Sequence, residues 1–232
     1  MERRRRSVPV SPAAALVVAL ALGASPAAGA AITFALDTPF GDTSPSGVLT
    51  AVVDDAPLAG GVLLTFSALG LAGEGEKVKD WYLNFAAPLG VSVEDLRFEH
   101  VAGPAAEVEV EADGFKAGGQ GRFDIRFEWP RGAHDPDGFR PGDEAVYAIR
   151  GPAGVAADGF LAVSFSEKKG EDSLALYSAA HILGIGPDAQ DSAFVGAPSA
   201  TSQNAVAIPA TLVLLGSGLA LVYGVRKVAV GA

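Results

Sequence analysis

Residues 122–129 alternate strictly between polar and apolar side chains, and this pattern constrains the fold more than any other feature of the sequence. Phenylalanine, isoleucine and tryptophan take one set of positions, and charged residues take the other. Successive side chains of a β-strand point to opposite faces of the sheet, so a period of two predicts a strand with one buried face. Residues 107–111, in which glutamate and valine alternate, predict a second such strand with an acidic outer face.

Short strands continue through the middle of the chain, separated by turn residues such as Gly60-Gly61 and Asp113-Gly114. Helical periodicity nowhere exceeds two turns. The further predicted strands are 32–36, 48–53, 62–69, 81–85, 96–101, 145–149, 160–165, 174–178 and 182–185. Many short strands with regular breaks predict an all-β fold, an antiparallel two-layer sandwich of jelly-roll type.

Aromatic residues in register with these strands are expected to fill the core between the sheets. They are Trp81, Phe85, Phe123, Phe127, Trp129, Phe160 and Phe165. Exposed aromatic rings also stack on sugars in carbohydrate-binding proteins, so the alternative is that Trp81 or Tyr82 forms such a platform.

The first 30 residues have the three parts of a secretory signal peptide. Four consecutive arginines precede about a dozen apolar residues at 13–24, the length typical of a signal core. Small residues at Ala28 and Ala30 then predict cleavage before Ala31. The alternative is an uncleaved anchor, for which the apolar run is short of the roughly 20 residues that a spanning helix needs.

Residues 205–232 are predicted to form a carboxy-terminal transmembrane segment. The stretch 205–225 contains no charged residue and is long enough to cross a bilayer as a helix. Arg226 and Lys227 follow it at once and would stop the segment at the cytoplasmic face. The alternative is a buried helix of a soluble domain, but a helix that is apolar on every face suits lipid better.

Between the ends, residues 31–196 are predicted to form one acidic domain, and the small polar residues 197–204 a flexible tether. Six of the 17 basic residues and one of the 27 acidic residues lie in the terminal segments, so the middle carries a net charge of about −15. Such a charge repels phosphate backbones, which argues against a nucleic-acid partner. The chain has no cysteine, which excludes thiol chemistry and iron–sulfur clusters.

The apolar tail resembles a known family of sorting signals. Residues 209–219, Pro-Ala-Thr-Leu-Val-Leu-Leu-Gly-Ser-Gly-Leu, followed by Arg226 and Lys227, are similar to a PEP-CTERM sorting tail. This resemblance implies recognition and processing by an exosortase, a membrane-embedded enzyme, in a bacterium that makes exopolysaccharide.

The sorting motif would occupy Ala207, Ile208, Pro209, Ala210 and Thr211. The family signature is Pro-Glu-Pro, and only Pro209 of these three residues is present, because alanine and isoleucine replace the first two. A plain single-span anchor without processing is the competing interpretation.

The sequence contains no recognisable catalytic motif, and no catalytic residue is assigned. Its three histidines, His100, His134 and His181, lie too far apart for the usual spacing of zinc ligands. No Gly-x-Ser-x-Gly nucleophile motif or phosphate-binding glycine loop occurs. His181 lies in an apolar stretch and is expected to be a core or edge histidine bonded to backbone rather than a general base.

One loop is a candidate for structural calcium. Asp135 and Asp137 lie in the sequence His-Asp-Pro-Asp-Gly, and Ca²⁺ prefers several oxygen ligands on a turning loop. The alternative is an ordinary Pro-Asp-Gly turn without metal. No other metal and no cofactor is expected.

Together these features predict an exported, membrane-anchored surface or matrix protein without enzymatic activity. Its expected partners are the secretion machinery, the membrane, an exosortase and exopolysaccharide. One alternative is an anchored module that binds or cleaves carbohydrate, and another is a periplasmic adaptor, because a sandwich fold serves many functions.

Overall fold

The structure, a computed structural model, describes residues 29–40, 43–89, 91–130, 138–165 and 174–204. Two antiparallel sheets form this part of the chain, which confirms the predicted all-β sandwich. The strands are β1 (Ala30–Leu36), β2 (Thr38–Phe40), β3 (Leu49–Asp54), β4 (Gly61–Ser67), β5 (Lys77–Leu83), β6 (Arg97–Ala102), β7 (Glu107–Lys116), β8 (Arg122–Glu128), β9 (Glu144–Arg150), β10 (Ser178–Ile185), β11 (Asp191–Ala197) and β12 (Ala200–Asn204). Two 3₁₀ turns lie at Val93–Asp95 and Ala157–Phe160.

Each sheet has six strands. The first sheet has the order β12-β1-β3-β4-β9-β6, and the second has the order β2-β11-β10-β5-β8-β7. Only β3–β4, β7–β8 and β10–β11 are consecutive strands paired within one sheet. Every other connection between consecutive described strands crosses from one sheet to the other, so the chain passes repeatedly between the two layers.

Aromatic rings fill the space between the sheets. The Phe66 ring lies 4.7 Å, between centroids, from both Trp81 and Phe127, and Trp129 and Tyr147 complete the cluster. All five side chains are essentially inaccessible to solvent. Rings at these distances add to the stability that comes from burying their surface.

The strictly alternating segments form strands as predicted, but one aromatic residue was misplaced. Phe165 was expected in the core, whereas 62% of its surface is exposed. Residues 160–165 do not form a sheet strand: a 3₁₀ turn ends at Phe160, and Phe165 makes only an isolated bridge to Arg122. The prediction of a strand at 160–165 is therefore wrong, and the Phe165 side chain faces outward.

Residues 197–204 were predicted to form a flexible tether, but most of them belong to strands. Ala197 ends β11 with no exposed surface, and residues 200–204 form β12, which pairs with β1. A stretch of small polar residues resembles a linker because it has no alternating strand pattern. Here, however, its backbone pairs with the otherwise unpaired backbone donors and acceptors of β1. The pairing partner lies about 170 residues away in sequence, so local pattern gives no sign of it.

The β1–β12 pairing brings the two ends of the sandwich together. Ala30 is the register partner of Asn204, at the outer edge of the first sheet. The chain therefore enters and leaves the described sandwich at adjacent positions.

Candidate functional site

Most residues with a predicted role in export and sorting lie outside the described part of the chain. These are Ala28, Ala207, Ile208, Pro209, Ala210, Thr211, Arg226 and Lys227. The predicted transmembrane stretch 205–225 lies outside it as well. Within the described ranges, no helix is long and apolar enough to cross a membrane.

Ala30 and Ala31, which flank the predicted cleavage position, are described, and both belong to β1. The Ala30 backbone N–H donates to Asp55 Oδ1 at 2.5 Å. Asp55 Oδ2 accepts a longer bond of 3.3 Å from the Ala157 backbone N–H. One carboxylate thus connects the start of β1 to the 3₁₀ turn of the 157–160 loop.

A charged cluster lies on the second sheet, on the face that points away from the core. Asp80 and His181 are register partners on β5 and β10, while their neighbours Trp81 and Ala180 point inward. Asp80 Oδ2 accepts from Lys79 Nζ at 2.7 Å and lies 3.3 Å from His181 Nδ1. Asp80 is only 1% exposed, so this is a nearly buried carboxylate between two basic groups.

The partners of Asp80 keep it ionised. Burial alone raises a carboxyl pKa, but the hydrogen bonds and positive charges of His181 and Lys79 outweigh that effect and hold the pKa of Asp80 below its ordinary value. Asp80 Oδ1 has no hydrogen-bond partner among the described residues. Burial also raises the pKa of the neighbouring Tyr82 hydroxyl, as does the charge of Asp80, so that tyrosine stays neutral.

The cluster continues along the sheet as a chain of ion pairs. Lys79 Nζ lies 3.7 Å from Glu128, which also faces Arg126 at 3.4 Å. Arg126 pairs with Glu109 on β7. These contacts link the three strands β5, β8 and β7 across one face.

The imidazole of His181 is held by stacking as well as by charge. Its ring lies 4.2 Å from that of Phe194 on β11, with an angle of only 5° between the planes. His181 was expected to bond to backbone, but its side chain bonds to the Asp80 carboxylate. The physical reason is register: strand pairing sets Asp80 directly opposite His181, which the two distant sequence positions do not reveal.

An Asp–His pair supports catalysis when the imidazole also reaches a nucleophile. Ser178, three residues earlier on β10, instead lies in the core, where its Oγ accepts from Trp81 Nε1 at 2.8 Å and donates to the Tyr82 carbonyl at 2.9 Å. Among the described residues, no hydroxyl group is hydrogen-bonded to His181. The arrangement therefore fastens strands together and lacks the third member of a triad.

The aromatic platform proposed for sugar stacking is ruled out by burial. Trp81 has no exposed surface and Tyr82 only 4%. The second tryptophan of the chain, Trp129, is also fully buried, with its Nε1 donating to the Pro104 carbonyl at 3.0 Å. Both tryptophans thus serve the core.

The calcium candidates Asp135 and Asp137 lie outside the described residues. The nearby Asp143 is described, and its Oδ2 accepts from the Arg140 backbone N–H at 2.8 Å, closing a turn. In the described ranges, no three histidine or acidic side chains gather in a way that could hold a metal ion.

The buried pair Lys79-Asp80 was missed in the sequence. A usable signal was present, because Lys77-Val78-Lys79-Asp80 places charged residues directly before the predicted strand 81–85. Buried charges of this kind are paired with one another. Comparison with family models, with curated proteins and with solved structures found no match for this chain.

Proposed function

We propose that the chain is an exported, envelope-anchored protein of the cell surface or extracellular matrix, carrying a PEP-CTERM-like sorting tail. The observation that carries this proposal is the order of a signal-like segment, a sandwich domain, an uncharged 21-residue stretch and a basic end. The side-by-side exit of the chain at Ala30 and Asn204 supports it, because a domain held at one edge leaves its other surfaces open to partners.

The proposal includes a jelly-roll-like sandwich, a signal peptide removed before Ala31 and a single carboxy-terminal span. The frequent crossing of the chain between the two sheets favours the jelly-roll type. The proposed partners are the secretion machinery, an exosortase, the membrane and exopolysaccharide.

A non-enzymatic role is favoured over carbohydrate cleavage by how the charged groups are used. Asp80 bonds to both His181 and Lys79, and Asp55 and Asp143 bond to backbone amides. With both tryptophans buried, neither indole ring is available to stack on a saccharide.

Mass spectrometry of the mature protein, isolated from cells that contain an exosortase, tests the sorting proposal. We expect an amino terminus at Ala31 and a carboxy terminus within or next to the 207–211 motif. The Pro209→Ala variant is expected to keep its tail, since Pro209 is the only proline of the signature that this chain retains.

An Ala229→Ser variant, changed beyond the basic residues, serves as the control and is expected to be processed normally. An intact peptide through Ala232 in exosortase-containing cells would contradict processing and leave the plain membrane anchor. Recovery of the unanchored chain from the cytoplasm with residues 1–30 attached would contradict export.

A further inference from the structure

Two arginines face each other at the edge of the first sheet. Arg97 on β6 and Arg150 on β9 are register partners, so their side chains lie on the same face of the sheet. Like charges placed directly opposite each other destabilise a strand pair. This unfavourable pair lies in a domain whose net charge is about −15, where carboxylates outnumber basic groups by more than two to one.

The two guanidinium groups line a shallow, open pocket of about 330 Å³. Asp95, Gly151 and Pro152 complete its lining. The volume is near the lower end of the range for small-molecule sites, roughly 300–1,000 Å³. Gly61, on the other side of Arg150 in the sheet, has no side chain, which leaves room for the arginine stem.

The pocket is partly organised in advance. Arg97 donates from one terminal nitrogen to the carbonyls of Leu96, at 2.9 Å, and Glu94, at 3.2 Å, and these bonds orient its guanidinium. Among the residues that the structure describes, neither Arg97 nor Arg150 forms an ion pair with a carboxylate. Two cationic groups in an acidic domain are thus left to face solvent together.

We propose that this pocket binds a carboxylate-bearing sugar, such as a uronic acid unit of a polysaccharide. The planar fork of a guanidinium matches a carboxylate with two hydrogen bonds. Asp95 Oδ2 accepts from the Ser92 backbone N–H, and the exposed Asp95 carboxylate can also accept from sugar hydroxyls. Pro152 offers an apolar surface to the ring.

The negative charge of the domain further restricts which acidic saccharides can bind. A polymer with a charge at every unit is strongly repelled by the surrounding carboxylates. A saccharide with only occasional acidic units is repelled less. The inference deepens the proposed matrix function by naming the ligand class and the site.

Isothermal titration calorimetry on the purified full chain tests the site directly. The probes are a tetrasaccharide that contains glucuronic acid, the same tetrasaccharide with its carboxyl groups reduced to alcohols, and sodium sulfate. We expect binding of the acidic tetrasaccharide, at least about tenfold weaker binding of the reduced one, and weakening by added salt. Sulfate alone is expected to bind at least tenfold more weakly than the acidic tetrasaccharide.

Single substitutions distinguish binding at this pocket from a general effect of net charge. Arg150→Gln is expected to weaken binding of the acidic tetrasaccharide at least tenfold, and Arg150→Lys to weaken it less, because the charge remains but the fork is lost. Lys116→Gln removes one positive charge from the second sheet and should leave affinity unchanged.

Absence of binding, equal affinity for the reduced tetrasaccharide, or full affinity in Arg150→Gln would each overturn the proposal. Sulfate binding as tight as that of the sugar would overturn its saccharide part. None of these outcomes depends on tail processing, so a failure of this site and a failure of the sorting proposal are distinguishable.

Discussion

A carboxylate as deeply buried as Asp80 is tolerated because Lys79 carries the opposite charge and His181 provides a second contact. Lys79 and His181 supply two contacts to one of its oxygens, at 2.7 and 3.3 Å. Removing one member of a buried ion pair typically costs more than the pair contributes, because the remaining charge keeps its desolvation penalty. Asp80 is therefore expected to be among the least replaceable polar residues of the second sheet.

We expect Asp80→Asn to lower the free energy of unfolding at pH 7 by about 3 kcal/mol. The folded-state pKa of Asp80 is depressed below the ordinary value of 3.8, so its ionised form stabilises the fold above that pH. This contribution is lost as the pH falls through the folded-state pKa, so wild type and variant converge in acid. Urea unfolding at pH 7 and at several values below 3.8 measures this.

The exposed Asp188→Asn change is the matched control and should be nearly neutral at every pH. A constant difference between wild type and Asp80→Asn down to the lowest pH would contradict the assigned role of the charge.

Glu76 is a second buried carboxylate, but its partners are loop groups. It is 5% exposed and accepts from the Ser46 hydroxyl, the Ser46 backbone N–H at 2.8 Å and the Gly73 backbone N–H at 3.2 Å. Glu76→Gln keeps the shape but loses these charge-assisted bonds, so we expect a loss of about 1–2 kcal/mol in thermal unfolding. The exposed neighbour change Glu74→Gln should have no measurable effect, and equal losses in both variants would show that net charge, not the loop contact, is responsible.

Strand β12 is an element that its own sequence does not predict. Its residues Ala-Thr-Ser-Gln-Asn carry no alternation and few apolar groups, and its place in the fold depends on hydrogen bonds to β1. Strands such as β8, in contrast, contain their own burial pattern and were predicted to within one residue. The difference is that β8 is specified by side chains and β12 by a backbone partner.

A designed disulfide tests β12 directly, since the chain has no cysteine of its own. Thr33 and Thr201 are register partners on β1 and β12. Cα atoms of such pairs lie about 4.5–5.5 Å apart, within the range that a disulfide spans. We expect the Thr33→Cys/Thr201→Cys variant to form the bond on oxidation and to gain about 2 kcal/mol or more in stability, seen by mass spectrometry and reducing and non-reducing thermal melts.

The Ala35→Cys/Thr50→Cys variant joins β1 to β3 instead and controls for cysteine reactivity in the same strand. Bond formation in this control but not in the Thr33/Thr201 variant would restore the interpretation of residues 197–204 as a tether.

At the scale of the whole molecule, the domain extends beyond the predicted last residue 196 and includes the residues up to 204. A fragment 31–196 lacks β12 and the buried last residue of β11, Ala197, which leaves the outer edge of β1 unpaired. Open strand edges pair with other molecules. We expect fragment 31–204 to be monomeric, and fragment 31–196 to melt at a lower temperature and to associate as concentration rises in size-exclusion chromatography.

The Asp113→Asn change, made in fragment 31–204 at the irregular part of β7 on the second sheet, controls for an unrelated local change and should leave the fragment monomeric. Equal melting temperatures and monomeric behaviour for the two fragments would contradict the assignment of β12 to the domain.

The sequence by itself determined the features that are local. Strict alternation specified the strands with one buried face, and charge counts specified an acidic domain. Alternation depends only on residues within a few positions of one another, and net charge depends only on composition.

Only the tertiary structure decided how distant residues meet. It set Asp80 against His181, Arg97 against Arg150, and β12 against β1, and it turned Phe165 outward. The physical reason is strand register, since one-residue shifts in pairing exchange the two faces of a strand and change every cross-strand neighbour. No single segment of the sequence carries that information, because it belongs to pairs of strands.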